Sequence, residues 1–182
     1  MISFKSQHIN SVKIQRIHNN TITNQNAKVI ELDINSNNDY EIIREIGLNW
    51  DNGKTFACDI FNQFTWQKYG LSTQNFPACK FFLLTKNMKT NSSAADALGV
   101  ATIYQMNKDT FFIPHLQVQP NNKYKSINRK YKHIGECLVK SILEKYEKFN
   151  FKVYPLNANI EKFFEKLNFQ KEYNSFSMIL KR

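Results

Sequence analysis

Lys123, Lys125, Arg129, Lys130 and Lys132 fall within ten residues, with no acid among them, and lead straight into Ile134-Gly135-Glu136. The chemistry this spacing suits is anion binding. From Ile134 onward the chain reads as a helix, with Ile134, Leu138, Ile142, Tyr146 and Phe149 on one face. A helix start offers unpaired backbone N–H groups and the positive end of the dipole, so such a junction can hold a pyrophosphate. Gly135 lets backbone come close to a ligand. The cationic approach then points to a nucleotide-like, polyanionic cofactor. Upstream, Phe111 to Val118 is an apolar run with Pro114 and His115 inside it. A neutral imidazole suits proton transfer near pH 7. Proline removes a ladder donor, which predicts an edge or a bulge at that point of a strand.

The elements that must position these groups follow from hydrophobic periodicity. Ile9 to Ile17 reads as an added strand or hairpin, and Lys28 to Ile34 as a strand. Asp39 starts a helix with Ile42, Ile43, Ile46 and Trp50 at helical spacing, broken by Asn52-Gly53. A second helical stretch runs from Phe56 to Tyr69 and ends at Gly70. Strands are expected at Phe81–Leu84, Ala97–Gln105 and Thr110–Val118, with a polar hairpin loop from Asn87 to Asp96. After the long helix, ending at Phe149, come a strand (Phe151–Leu156), a short helix (Ile160–Leu167) and a last strand (Tyr173–Leu180). The short helix has an i, i+3, i+4, i+7 stripe of Ile160, Phe163, Phe164 and Leu167. Asn159 is its expected N-cap, and Asn168 suits the left-handed residue that ends it. No repeat or linker divides the chain, so one α/β domain is expected.

The tail, Asn157-Ala-Asn-Ile-Glu-Lys-Phe-Phe-Glu-Lys-Leu-Asn-Phe169 followed by Asn174-Ser-Phe-Ser-Met-Ile-Leu-Lys181, resembles the GNAT acyltransferase superfamily. That family has a short helix of the pattern F-Y-E-K-x-G-F before its last strand. Upstream it has Arg/Gln-x-x-Gly-x-Gly/Ala opening a long helix, matched here by Lys130, His133 and Gly135. The likeness covers residues 97–182 well and 28–96 by order of elements. It implies a mixed central sheet with a splayed, bulged strand and flanking helices, occupying residues 28–182 behind an N-terminal extension of residues 1–27. It implies acetyl-CoA as co-substrate and a primary amine, on a small molecule or a protein, as acceptor. It assigns Gln117, Val118 and Gln119 to main-chain pairing with the pantetheine arm. Lys130, Lys132, His133, Ile134, Gly135 and Glu136 fall on the pyrophosphate loop, with Asn157 and Phe164 beside the cofactor. His115 falls near the reaction centre and is the candidate base. Two departures stand out. His133 replaces the first loop glycine, where an imidazole either narrows the phosphate site or contacts a phosphate when protonated. Phe164 replaces the frequent Tyr whose hydroxyl can protonate the leaving thiolate, which leaves Tyr104, Tyr154, Tyr173 or water as the acid.

Composition bounds the same reading. The chain has 182 residues, 42% hydrophobic with 15 Phe, enough for one sizeable core and too apolar for a disordered chain. No apolar run approaches the ~20 residues of a membrane span, and Met1 to Lys5 lacks the apolar segment of a signal peptide. Three cysteines, an odd number without metal-like spacing, fit reduced thiols in the cytoplasm, small apolar fillers rather than nucleophiles or metal ligands. The formal charge of +10 is uneven: residues 111–182 hold 14 Lys/Arg against 6 Asp/Glu, and residues 1–110 hold 11 against 9. A polyanionic partner is implied. The leading reading is an acetyl-CoA-dependent N-acetyltransferase. The other is a catalytically degenerate, GNAT-shaped basic module that binds nucleic acid or a protein partner.

Overall fold

Alternation along the central strands puts apolar side chains on both faces, and both faces are covered. In Cys79–Thr85, Phe81 and Leu83 point to one side and Phe82 and Leu84 to the other, and all four are buried. The computed structural model describes residues 6–19, 21–50, 56–71, 77–88, 92–122 and 129–182. Its strands are β1 (Gln7–His18), β2 (Thr21–Glu31), β3 (Cys79–Thr85), β4 (Ala97–Asn107), β5 (Thr110–Val118), β6 (Tyr131–Lys132), β7 (Asn150–Val153), β8 (Gln170–Lys171) and β9 (Met178–Leu180). Its helices are α1 (Asn37–Asn49), α2 (Phe56–Lys68), α3 (Ile134–Lys145) and α4 (Ala158–Glu165). The strands form one sheet in the order β6-β1-β2-β3-β4-β5-β7-β9-β8. Among the described residues only β5 and β7 pair in parallel, so the sheet is mixed, as expected.

One core layer lies between the sheet and α3 with α4, where Leu138, Val139 and Ile142 meet Phe82, Ala101, Ile103 and Phe151. The other lies under α1 and α2, where Ile42, Ile43, Ile46, Ile60 and Phe64 meet Phe81, Leu83 and Val100. Burial of a large aliphatic or aromatic side chain is worth about 1.5–3 kcal/mol each. The two layers therefore hold the sheet rigid from both sides.

Several boundaries differ from the sequence reading, each for a local reason. β2 begins at Thr21, not Lys28, because β1 pairs with it from Gln7↔Glu31 to His18↔Thr21, with one bulge at Ile9. That ladder satisfies a polar stretch that has no apolar pattern of its own. β2 crosses the point between residues 27 and 28 where an extension was expected to end. α3 stops at Lys145: Tyr146 leaves helical geometry at φ −114°, ψ 40°, although its ring and that of Phe149 still pack on Phe111. α4 starts two residues early, because Asn157, not Asn159, caps it by accepting from the N–H groups of Asn159 and Ile160. The last strand keeps only Met178–Leu180 of the expected Tyr173–Leu180. Ser175, Ser177 and Glu172 instead bond one another and the local main chain in a turn, with Asn174 at φ +55°. The Asn52-Gly53 breaker lies outside the described residues.

Candidate active site

β4 and β5 slip register between Thr102↔His115 and Tyr104↔Phe112. Two residues of β5, Ile113 and Pro114, oppose the single Ile103 of β4, which is a bulge. Proline tolerates the position because it has no N–H to leave unpaired. On its other side β5 pairs with β7 only from Thr110↔Asn150 to Phe112↔Lys152. Beyond Phe112 no strand among the described residues pairs with β5 there, so the sheet opens between β5 and β7.

Strand alternation decides which main-chain groups face that opening. Gln119 N–H donates to Leu98 O at 2.9 Å, so it belongs to the β4 ladder. Alternate residues of an antiparallel ladder share a side, which puts the main-chain groups of Gln117 and His115 toward β4 as well. Leu116 and Val118 present theirs to the opening. Of the three residues expected to offer main-chain groups there, Val118 faces the opening together with Leu116, while Gln117 and Gln119 face β4. The Gln117 side-chain amide reaches across and donates to Val118 O at 2.6 Å.

At the end of the opening lies the start of α3. The first intrahelical bond runs from Cys137 N–H to His133 O, so the N–H groups of Ile134, Gly135 and Glu136 have no intrahelical acceptor. His133 sits at φ +63°, ψ 14°, the left-handed conformation that glycine adopts at no steric cost. Backbone geometry at this position therefore remains that of the expected glycine, at a strain of about 1–2 kcal/mol. The imidazole Nδ1 lies 2.9 Å from a Glu136 carboxylate oxygen, and Lys140 donates to the other at 2.7 Å. Those hydrogen bonds, Lys140 first, hold the Glu136 carboxyl below its usual range. At Gly135 a Cβ would meet only ordinary contacts, Phe163 and Val118 at 3.6 Å. The protein itself leaves room for a side chain there.

The two lysines of the junction are placed differently from each other. Lys130 is exposed, with its main chain fixed by Asn122, and its side chain lines a pocket next to the end of β1. Lys132 lies on β6, paired with Gln15 of β1. Lys123 and Lys125 lie outside the described residues.

Phe164 is 5% exposed and belongs to the core, edge-on to Phe163 and Phe169. Its neighbour Phe163, only partly buried, is the α4 ring that approaches the start of α3. Asn157 spends its side-chain oxygen on the α4 cap.

His115 projects from β5 toward α2. Its Nδ1 lies 3.2 Å from Thr102 Oγ1, and its ring centroid 5.3 Å from that of Phe56. Burial lowers its pKa, and Asp59 only partly offsets this, so the ring is neutral at pH 7. Donation from Nδ1–H to Thr102 leaves the Nε2 lone pair available as a base, while the other tautomer makes Nε2 a donor. Tyr104 and Tyr154 flank Phe112 on the same face, at centroid distances of 5.3 and 5.2 Å. Burial, with Cys79 and Tyr154 nearby, raises the Tyr104 pKa, so its hydroxyl keeps its proton. Tyr173 is 93% exposed in the β8–β9 turn. Periodicity had no means of finding Thr102, Asp59 or Phe56, because the contacts depend on the bulge register and on how α2 packs. Among the described residues no cluster of three or more His, Cys, Asp or Glu could hold a metal ion. No helix among them is long and apolar enough to cross a membrane.

No family model matches the sequence, and no curated protein matches it. Solved structures do match in shape. A Tyr-to-Phe variant of the toxin AtaT, bound to acetyl-CoA and to the C-terminus of the antitoxin AtaR, is 13% identical, with a TM-score of 0.55 over 85% of this chain and 92% of that one. A GNAT-family protein from Desulfovibrio desulfuricans, described as an acetyltransferase, is 11% identical, with a TM-score of 0.54 over 84% and 96%. The N-acetyltransferase PseH of Campylobacter jejuni is 18% identical, with a TM-score of 0.50 over 86% and 98%.

Proposed function

From the GNAT acetyltransferase fold that these likenesses establish, we propose that the chain is an N-acetyltransferase that moves an acetyl group from acetyl-CoA directly to a primary amine. The observation that carries this reading is the β5–β7 opening, which runs past the main-chain groups of Leu116 and the N–H of Val118 to the N–H groups without intrahelical acceptors at the start of α3. Extended strand edges bind amide-containing arms by ladder hydrogen bonds, and helix starts bind phosphates. An acyl-pantetheine diphosphate has both in series. Solved GNAT structures with acetyl-CoA bound support this co-substrate.

Acyl transfer from a thioester to an amine needs a deprotonated amine, a polarised carbonyl and a proton for the departing sulfur. His115 takes the amine proton on Nε2, directly or through one water, in the tautomer whose Nδ1–H donates to Thr102 Oγ1. A main-chain N–H on the open edge of β5 polarises the thioester carbonyl. Phe164 has no proton to give, so the acid is Tyr104, Tyr154 or water. The Phe56 ring against His115, and the Tyr104–Phe112–Tyr154 cluster on the same strands, favour an acceptor with an apolar part beside its amine.

Thiol release from acetyl-CoA, followed against a panel of amines, tests the reading. The expected result is amine-dependent release and calorimetric binding of acetyl-CoA. No release and no binding would overturn it. Strongly salt-dependent binding of nucleic acid under the same conditions would favour the non-catalytic module.

A further inference from the structure

The strongest unexplained feature is a pocket of about 370 Å³ whose lining residues come from neither β7 nor α4 nor the His115–Val118 stretch. Its walls are the end of β1, the chain after β3, the start of β4 and the segment that follows β5. Two lining residues, Gln119 and Lys130, were expected at the cofactor, and the main-chain N–H of Gln119 is turned to β4, away from the opening. We propose that this pocket binds a small phosphomonoester of mononucleotide size, at a site separate from the β5–β7 opening.

The rim is preorganised by main chain. Asn122, 3% exposed, accepts from the N–H groups of both Lys130 and Tyr131 at 3.0 Å through one oxygen. Its own amide donates to Gln119 Oε1 at 2.7 Å. β6 then pairs Tyr131 with Arg16, and Ile17 N–H donates to Lys130 O at 2.7 Å. One buried side chain and one short ladder thus pin both walls.

Charge supplies the chemistry. Arg16, Lys86 and Lys130 line the pocket together with His18. Lys86 has a carboxylate partner, Asp96 at 3.6 Å. Among the described residues Arg16 and Lys130 have no ion-pair partner. Three cations around so small a space repel one another, and a bound anion turns that repulsion into attraction. A phosphomonoester dianion matches this surplus better than a single carboxylate does. The Arg16 guanidinium can take two phosphate oxygens at once, with Lys130 and Lys86 as point charges.

Shape supplies the rest. Leu98 (1% exposed) and Tyr131 (9% exposed) give the pocket apolar wall against which a planar ring can lie. Gln119, whose oxygen is spent on Asn122, still has its amide N–H₂ to offer a ring edge or a ribose. The volume lies at the low end of the ~300–1,000 Å³ of ligand pockets, enough for one nucleotide and not for an extended cofactor.

Isothermal titration of the full chain with adenosine 5′-monophosphate tests the proposal, with adenosine and inorganic phosphate as controls. The nucleotide should bind with an affinity that falls as salt rises, phosphate more weakly, and adenosine not measurably. Arg16→Gln combined with Lys86→Gln should weaken nucleotide binding at least tenfold, with the thermal midpoint and acetyl-CoA affinity unchanged. Arg16→Gln alone, at an exposed side chain, gives the same direction if the double variant is unstable. Arg16→Lys should recover part of the loss. Three results would overturn the proposal: no nucleotide binding at millimolar concentration, unchanged binding in Arg16→Gln, or competitive displacement by acetyl-CoA, which would make the pocket part of the cofactor site. The nucleotide titration does not depend on acetyl transfer, so its outcome is separable from the enzymatic reading.

Discussion

Gly135 separates what the fold needs from what a ligand needs. A Cβ at this position would sit 3.6 Å from Phe163 and Val118, ordinary van der Waals contact, and the residue is not in the left-handed region. Gly135→Ala therefore costs the folded state no strain. It removes backbone freedom from the unfolded chain, which stabilises by about 0.4–1 kcal/mol. For a chain of this length that is a rise in Tm of about 1–4 °C. Binding should move the other way. A phosphate oxygen accepting from an N–H of this turn lies about 2.9 Å from the nitrogen, and a methyl on the adjacent Cα crowds its neighbouring oxygens. Losing one hydrogen bond to a charged group costs about 1.5–3 kcal/mol. Acetyl-CoA affinity should then fall by about 10- to 150-fold, and further in Gly135→Val. Calorimetry with acetyl-CoA, paired with thermal unfolding of the same samples, reads both effects. An Ala variant that is at least as stable as the parent and binds acetyl-CoA equally well would remove the α3 start from the cofactor site. A Tm that drops by several degrees would instead show that the packing of Phe163 on this turn is tighter than the distances indicate.

Other expectations rest on other parts of the molecule. His115→Ala should lower turnover by about 10²-fold if the base is direct, with acetyl-CoA affinity unchanged. The parent's acid limb should inflect below pH 6.5, because burial disfavours the imidazolium; a variant that keeps the parent's rate and inflection makes His115 structural. His133→Gly should raise stability by up to about 1 kcal/mol, the left-handed strain relieved less the added freedom of the unfolded chain and the lost exposed contact with Glu136, read as a higher urea midpoint. Glu31 is disfavoured by burial, but hydrogen bonds and charge from Lys145 and Lys80 outweigh that and lower its pKa. Its contribution is therefore present above the unfolded pKa of about 4.3 and lost as pH falls through the lower folded value. Glu31→Gln should be destabilising at pH 7 and should flatten the acid limb of the stability curve; an unchanged acid limb would show that the pair contributes nothing.

The β5 strand shows how sequence and tertiary structure divided the work. Pro114 announced an edge or a bulge because a residue without an N–H cannot sit in a regular ladder, and the register slip shows that it is a bulge. Asn168 announced a left-handed helix end and has φ +67°. The stripes of α1, α3 and α4 were legible because one face of each must leave water, and that requirement is written at a period of 3.6 residues. Length, net charge and the order of strands and helices were likewise properties of the chain alone. Which main-chain groups face the opening was not, since alternation needs the β4–β5 register, and register is a pairing between distant segments. The same holds for Thr102 beside His115, brought together by that register, and for Phe56, brought there by the packing of α2. Phe163 and Phe164 are adjacent and chemically identical, so no local pattern could tell the ring near α3 from the ring in the core; the docking angle of α4 decided it. The basic pocket is wholly tertiary. Its walls come from residues 16–18, 86, 98, 119–122 and 130–131, and only the folding of β1 and the Asn122 clamp makes neighbours of charges so far apart in sequence.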